Sequence, residues 1–207
     1  MPLPESFIQH LRDYGYHPRS NKHSNAFAAA VVHDLVRSCE VIAGEARAGR
    51  LVYDVNMDLR FGSSTWNVDF VLGTPAEPLV TAGSAIVQAR PATVRIAVEI
   101  KGVMTEHRKA VKNRKRDLEA HHEHVHNYGR STIAGGVMVL NASPLFSSPL
   151  RPTRMMQRTP AVMSGLILHS VNEMRNVTES GGASAYGMDA KCVVVVDFND
   201  QDALAAR

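Results

Sequence analysis

The stretch that decides the fold covers residues 94–102 and reads VRIAVEIKG, and a companion stretch at residues 66–73 reads WNVDFVLG. Both are rich in β-branched residues and end in glycine, so both predict short strands of a buried sheet. Each contains one acid, Asp69 or Glu99, although a buried carboxylate is costly unless a partner binds it. The two strands therefore predict a functional site as well as a sheet.

The spacing around Glu99 indicates the chemistry of that site. Side chains alternate between the two faces of a strand, so Glu99 and Lys101 share one face. Two carboxylates and a lysine that meet at a strand end suit a magnesium-dependent phosphodiesterase. We expect Asp69 and Glu99 to bind Mg²⁺, and we expect Lys101 to act on the attacking water or the developing phosphate charge. These three residues are the predicted catalytic set.

The segments around the two strands predict an α/β chain. Apolar residues at helical spacing predict a helix over 25–48, capped at Ser24 or Asn25 and stopped at Gly49. A strand at 51–59 is predicted to form a hairpin with the Asp69 strand. Further patterns predict the following elements: a helix at 4–14, a helix at 105–127, a strand at 135–140 parallel to the Glu99 strand, a loop at 142–158, a helix at 160–175 and a strand at 193–198.

This order of elements, with Asp69 on one strand and E-x-K at 99–101, resembles the PD-(D/E)xK nuclease superfamily, which includes most type II restriction endonucleases. The resemblance covers residues 20–141 as an order of elements. It implies a mixed β-sheet flanked by helices, with a restriction-endonuclease-like αβββαβ core. The segment 142–207 then supplies C-terminal elements of the same single domain, including a candidate DNA-recognition loop.

The resemblance also implies further metal ligands. The backbone carbonyl of Ile100 is one of them. An acid from the first long helix often joins the metal ligands in this superfamily, and Asp34, Glu40 and Glu45 are available here. None of the three is singled out by its neighbours, so we expect them to lie on a solvated helix face.

A basic segment follows the predicted site. Residues 101–116 contain seven Lys or Arg and one acid, a balance that suits a polyanionic partner. We predict that the helix contacts DNA phosphates through its basic side chains, and that a Ser/Pro-rich loop contacts DNA through two arginines, at base edges or phosphates. The predicted DNA-binding residues are Arg108, Lys109, Lys112, Lys115, Arg116, Arg151 and Arg154.

A competing motif lies in the same helix. His122, Glu123 and His126 satisfy H-E-x-x-H, the zinc-binding pattern of many metallopeptidases. However, the flanking residues are charged and polar, and this reading leaves both acid-bearing strands unexplained. We expect the histidines to form a polar helix end, where they interact favourably with the helix dipole.

The length, charge and composition of the whole chain restrict the class and the cellular location that we expect for the protein. It has 207 residues, a net charge of +3 and no apolar run of membrane-spanning length. Its start lacks the pattern of a signal peptide, and Cys39 and Cys192 lack metal-like spacing, so we expect a cytoplasmic protein with two buried thiols. The sequence predicts a Mg²⁺-dependent endonuclease that cuts double-stranded DNA as a homodimer. A zinc peptidase or a non-catalytic nucleic-acid-binding module remains the alternative.

Overall fold

A computed structural model describes residues 3–15, 21–79, 86–147, 155–181 and 186–199. The elements within these ranges are α1 (Leu3–Tyr14), α2 (Asn21–Ser38), α3 (Glu40–Arg47), β1 (Val52–Phe61), β2 (Ser64–Thr74), β3 (Val87–Gln88), β4 (Thr93–Val103), α4 (His107–Tyr128), β5 (Ile133–Asn141), β6 (Leu145–Ser147), β7 (Met155–Gln157), α5 (Pro160–Arg175) and β8 (Ala190–Val196). No helix in these ranges combines the length and hydropathy needed to cross a bilayer.

Six of the described strands form one mixed sheet in the order β3-β1-β2-β4-β5-β8. β2 pairs antiparallel with both β1 and β4, whereas β4, β5 and β8 run parallel and the short β3 runs parallel to β1. Because α4 connects the parallel strands β4 and β5, the predicted βαβ unit is present. The predicted α/β class with a mixed sheet and flanking helices is therefore confirmed.

Helices cover both faces of the sheet, and each face has its own core. On one face, α1 to α3 bury Phe7, Leu11 and Phe27 against strand residues such as Phe70 and Ile100. On the other face, helix α4 buries Val111, Leu118 and Val125 with Ala97, Val103 and Met138 of the strands. Each buried side chain of this size contributes about 1.5–3 kcal/mol. Alternation along β4 turns Glu99 towards the α4 face, because Val98 and Ile100 belong to the opposite core.

The β1–β2 hairpin packs against different helices before and after Asn56 and Asp69. Phe70 and Leu72 belong to the core under α1 to α3, whereas Val68 and Met57 belong to the core under α4. Asn56 lies between these two regions with φ of 52°, a left-handed conformation that asparagine tolerates better than most residues. The part of the hairpin between Asn56 and Asp69 therefore packs on the α4 side of the sheet.

Three predicted elements need correction. The helix predicted over 25–48 is two helices, because the extended backbone at Cys39 (φ −122°, ψ 107°) separates α2 from α3. The first of them begins at residue 21, so neither Ser24 nor Asn25 is its cap. The last strand covers 190–196 instead of 193–198, and the predicted loop at 142–158 contains the two-stranded β6–β7 sheet. Pairing partners along the sheet, which local pattern does not reveal, decide these strand limits.

Two further predictions have clear outcomes. Gly49 does end the helical segment, with φ of 68°, a backbone conformation that favours glycine. The thiols are less buried than predicted, since Cys39 is half-buried and Cys192 is exposed.

Candidate active site

The candidate site lies where β2 and β4 separate. Their pairing extends from Thr74 and Thr93 to Phe70 and Val98, while β4 stays paired with β5 as far as Val103. Just past the last pair, Asp69 Oδ2 accepts a hydrogen bond from the backbone N–H of Ile100 at 2.6 Å. The N–H and C=O of one residue point to the same side of an extended strand. The Ile100 carbonyl therefore faces the side that β2 leaves.

Glu99 is the most constrained acid of the site. It is 3% exposed, its Oε1 pairs with the Lys101 ammonium, and its Oε2 has no hydrogen-bond partner among the described residues. Burial and, after it, the Asp69 carboxylate raise the pKa of Glu99 from 4.5 to about 7, although Lys101 opposes both effects. The pKa of Asp69 is also raised by burial, against the opposing Ile100 hydrogen bond and Lys101 charge. The fold thus holds together an acid pair that resists double ionisation.

Helix α4 brings three residues to this site that the sequence analysis missed. Arg114, Asp117 and His121 recur at i, i+3 and i+7, on the flank of α4 that faces Glu99. The Asp117 carboxylate contributes to the raised pKa of Glu99, and it pairs with Arg114 at 3.0 Å. The sequence does show that these three residues lie at helical spacing next to the apolar stripe of α4. However, only the βαβ crossover shows that this flank of the helix covers Glu99.

His121 makes the closest approach from the helix. It is completely buried, with Nε2 3.2 Å from the Ala97 carbonyl oxygen and Nδ1 3.8 Å from Glu99 Oε2. Burial, with a smaller contribution from the Lys101 charge, lowers the pKa of His121 to about 4. The ring is therefore neutral near pH 7.

The predicted basic residues lie apart from the acids. Arg108, Lys109, Lys112 and Arg116 are exposed, and Lys115 Nζ lies 3.8 Å from Glu173 Oε2 of α5. A groove of about 540 Å³ at the first turns of α4 and α5 is lined by Arg108 and Lys109 together with Arg158. Several of these side chains thus face α5, whereas Asp117 and His121 occupy the other flank. Arg151 and Arg154 fall outside the described residues.

The histidines of the H-E-x-x-H motif are buried, contrary to the expected polar helix end. His122 Nε2 lies 3.2 Å from Glu119 Oε2, and His126 Nε2 lies 2.9 Å from the Gly187 carbonyl oxygen. Glu123, the base in the peptidase reading, is exposed. The segment around Gly187 and the elements packed on α4 cover this helix end, and a local pattern cannot reveal such long-range packing. These contacts give both histidines partners within the fold.

The acids of the first long helical segment lie far from the site face. Asp34, Glu40 and Glu45 form ion pairs with Arg37, Arg47 and Arg50 respectively. Helices α2 and α3 pack on the sheet face opposite to Glu99. The expectation of a solvated acidic face is consistent with this placement.

Among the described residues, no group of three or more His, Cys, Asp or Glu side chains is arranged to hold a metal ion. Comparison of this chain with protein-family models, curated proteins and solved structures found no match. Asp69, Glu99, Lys101 and their neighbours are therefore the residues whose chemistry indicates a function.

Proposed function

We propose that this chain is a Mg²⁺-dependent endodeoxyribonuclease of the PD-(D/E)xK type, which hydrolyses phosphodiester bonds of double-stranded DNA in the manner of a type II restriction endonuclease. The observation that carries the proposal is the meeting of Asp69, Glu99 and Lys101 where β2 leaves β4. The order of the long elements around them, helix, three strands, helix and strand, supports an αβββαβ core interrupted by the short β3.

The donor chemistry of the residues present suits a hard divalent cation. Glu99 Oε2 is buried without a hydrogen-bond partner among the described residues, and burial raises the pKa of both acids, so a cation bound beside them would stabilise their ionised forms. Asp69, Glu99 and the Ile100 carbonyl offer oxygen donors, and Mg²⁺ is commonly bound by one or two carboxylates with waters completing its shell. Bound there, the cation would neutralise charge on the scissile phosphate and lower the pKa of a water.

The remaining roles belong to side chains of this chain. Lys101 pairs with Glu99 and is 21% exposed, so its ammonium lies between the buried acid and solvent. From this position it can orient the attacking water or donate to a phosphate oxygen as charge develops. The Ile100 N–H fixes Asp69 Oδ2, which leaves Oδ1 as the carboxylate's second acceptor.

Double-stranded DNA is the partner that this proposal requires. Helix α4 begins four residues after β4 ends, so its first turns lie at the same end of β4 as Lys101. Arg108, Lys109 and Lys112 are exposed on these turns and are available to phosphates. One site cuts one strand, so duplex cleavage implies a homodimer with two-fold symmetry.

Cleavage of supercoiled plasmid DNA in Mg²⁺ tests the proposal. Asp69→Asn, Glu99→Gln and Lys101→Ala should each lower the cleavage rate by about 10²–10³-fold or more, because each removes a ligand or a charge stabiliser. Glu123→Gln is the matched control, since it neutralises an exposed acid on α4 and should cleave like the wild type. Near wild-type cleavage by Lys101→Ala would show that the site is assigned wrongly.

Binding without cleavage tests the DNA partner separately. In Ca²⁺, the double variant Arg108→Ala/Lys112→Ala should bind all duplex sequences more weakly, and its slope of log K against log salt should fall by about one unit for each lost phosphate contact. Arg47→Ala removes a cation from α3, on the opposite face of the sheet, and should leave the slope unchanged. An unchanged slope in the double variant would exclude this part of α4 from the DNA interface.

A further inference from the structure

Two buried acceptor atoms face each other beneath helix α4. Glu99 Oε2 and His121 Nδ1 lie 3.8 Å apart, and neither has a hydrogen-bond partner among the described residues. Both residues are almost completely removed from solvent, at 3% and 0% exposure. Buried polar atoms of native proteins nearly always have a partner, so two orphans at one point require an explanation.

A direct hydrogen bond does not explain the pair. The distance of 3.8 Å exceeds the range of a hydrogen bond to nitrogen. His121 Nε2 lies 3.2 Å from the Ala97 carbonyl oxygen, which can only accept, so this nitrogen is the one that donates its proton. In the neutral ring, Nδ1 then presents a lone pair towards a carboxylate oxygen. Two facing lone pairs repel each other, and a cation placed between them would remove this repulsion.

We propose that His121 Nδ1 and Glu99 Oε2 are ligands of one divalent cation, and that this mixed nitrogen and oxygen set favours Mn²⁺ over Mg²⁺. The inference rests on the proposed function, because it assigns a further ligand to the same metal site. Two ligand atoms that are each about 2.1–2.2 Å from one ion lie roughly 3–4 Å apart, a range that includes the observed separation.

The neighbours of His121 support a ligand role. A metal-bound histidine usually donates its second ring N–H to a carbonyl or carboxylate, which fixes its tautomer, and the Ala97 carbonyl is placed to do so. Imidazole nitrogen binds first-row transition ions in preference to Mg²⁺, which prefers oxygen ligands and water. Asp69 and the Ile100 carbonyl are the oxygen donors of the same proposed metal site.

Manganese binding tests the inference without any measurement of cleavage. Mn²⁺ bound to the wild-type protein should show pulsed electron paramagnetic resonance modulation from a directly coordinated ¹⁴N nucleus. His121→Gln retains an amide that can donate to Ala97, but it should lose this signal and bind Mn²⁺ about 10–100-fold more weakly. Its Mg²⁺ affinity, measured by calorimetry, should change less than about threefold, because oxygen ligands dominate Mg²⁺ binding.

His122→Gln is the matched control. His122 is the next residue on α4 and is also buried with an unpartnered Nδ1, but its Nε2 contacts Glu119. This variant should keep both the nitrogen signal and the Mn²⁺ affinity. Loss of the signal in both variants would indicate a general disturbance of α4 and would overturn the assignment to His121.

The outcomes separate this inference from the proposed function. Absence of nitrogen coordination in the wild type overturns the inference, even if His121→Gln fails to fold. Unchanged Mn²⁺ affinity in His121→Gln, together with lost affinity in Glu99→Gln, also overturns it but leaves a carboxylate metal site and the nuclease proposal intact. If Glu99→Gln binds both ions like the wild type, the metal site of the proposed function is itself wrong.

Discussion

Replacing Glu99 with glutamine should stabilise the metal-free protein at alkaline pH while abolishing its proposed activity. Glu99 is buried, and its pKa in the folded protein is raised to about 7 from an ordinary value of 4.5. Between these two values the unfolded chain releases a proton that the folded chain retains. Stability should therefore fall as pH rises from about 4.5 through 7, and the penalty should be complete above about pH 8. Glutamine carries no charge and avoids this penalty.

The magnitude follows from the two pKa values. One pKa unit corresponds to about 1.4 kcal/mol, so the ionised Glu99 costs roughly 3 kcal/mol at pH 8. The Lys101 ion pair is already included in this figure, because Lys101 lowers the folded pKa without restoring it to 4.5. For a chain of 207 residues, roughly 3 kcal/mol raises Tm by about 6–12 °C. At pH 5 the gain should shrink to below about 1 kcal/mol.

Scanning calorimetry in EDTA at pH 5 and pH 8 measures this difference directly. The effect of pH on groups that do not interact with Glu99 cancels when Glu99→Gln is compared with the wild type at each pH. Glu123→Gln controls for the change in net charge, since Glu123 is exposed on α4. A divalent cation at 100 times its Kd should then stabilise the wild type by about 2.7 kcal/mol and leave Glu99→Gln unaffected.

Two results would refute this reasoning. If Glu99→Gln is no more stable than the wild type at pH 8, the buried carboxylate is not under electrostatic strain. If the gain is equal at pH 5 and pH 8, it arises from packing instead of ionisation.

Equilibrium urea denaturation should check four further changes. Thr159→Ala removes the side chain that caps α5 and should cost about 1 kcal/mol. Asn141→Ala should cost about 3 kcal/mol, because the buried Asn141 amide bonds both the N–H and the C=O of Phe198. Gly73→Ala should prevent normal folding, since its Cβ would lie 2.1 Å from a carbonyl oxygen of β4, whereas Gly165→Ala has open space within α5 and should stabilise by about 0.5–1 kcal/mol.

Local pattern was sufficient for most of the secondary structure. The alternation and β-branched content of residues 94–102 identified β4, and the seven-residue apolar spacing identified α4 to within two residues at its start. Helix α5 occupies the predicted span 160–175, where Pro160 follows the capping Thr159. These signals work because they depend on each residue's own backbone preference and on the period of burial.

Local pattern failed where contacts between distant parts of the chain decide the structure. The break at Cys39 and the limits of β8 depend on packing and on register with β5. Local pattern also could not predict the burial of the α4 histidines, since a polar sequence gave no sign that His121, His122 and His126 would be buried. Burial of a polar helix face depends on which strands and loops cover it, and those partners are remote in sequence.

The sequence alone determined the acids and the lysine of the candidate site, because period-two alternation places Glu99 and Lys101 on one strand face. Only the tertiary structure decided what surrounds them. The separation of β2 from β4 places Asp69 against the Ile100 N–H, and the crossover of α4 brings Asp117 and His121 over Glu99. The physical reason is that a pKa shift and a pair of orphaned acceptors arise from burial and proximity in space, which residue spacing does not encode.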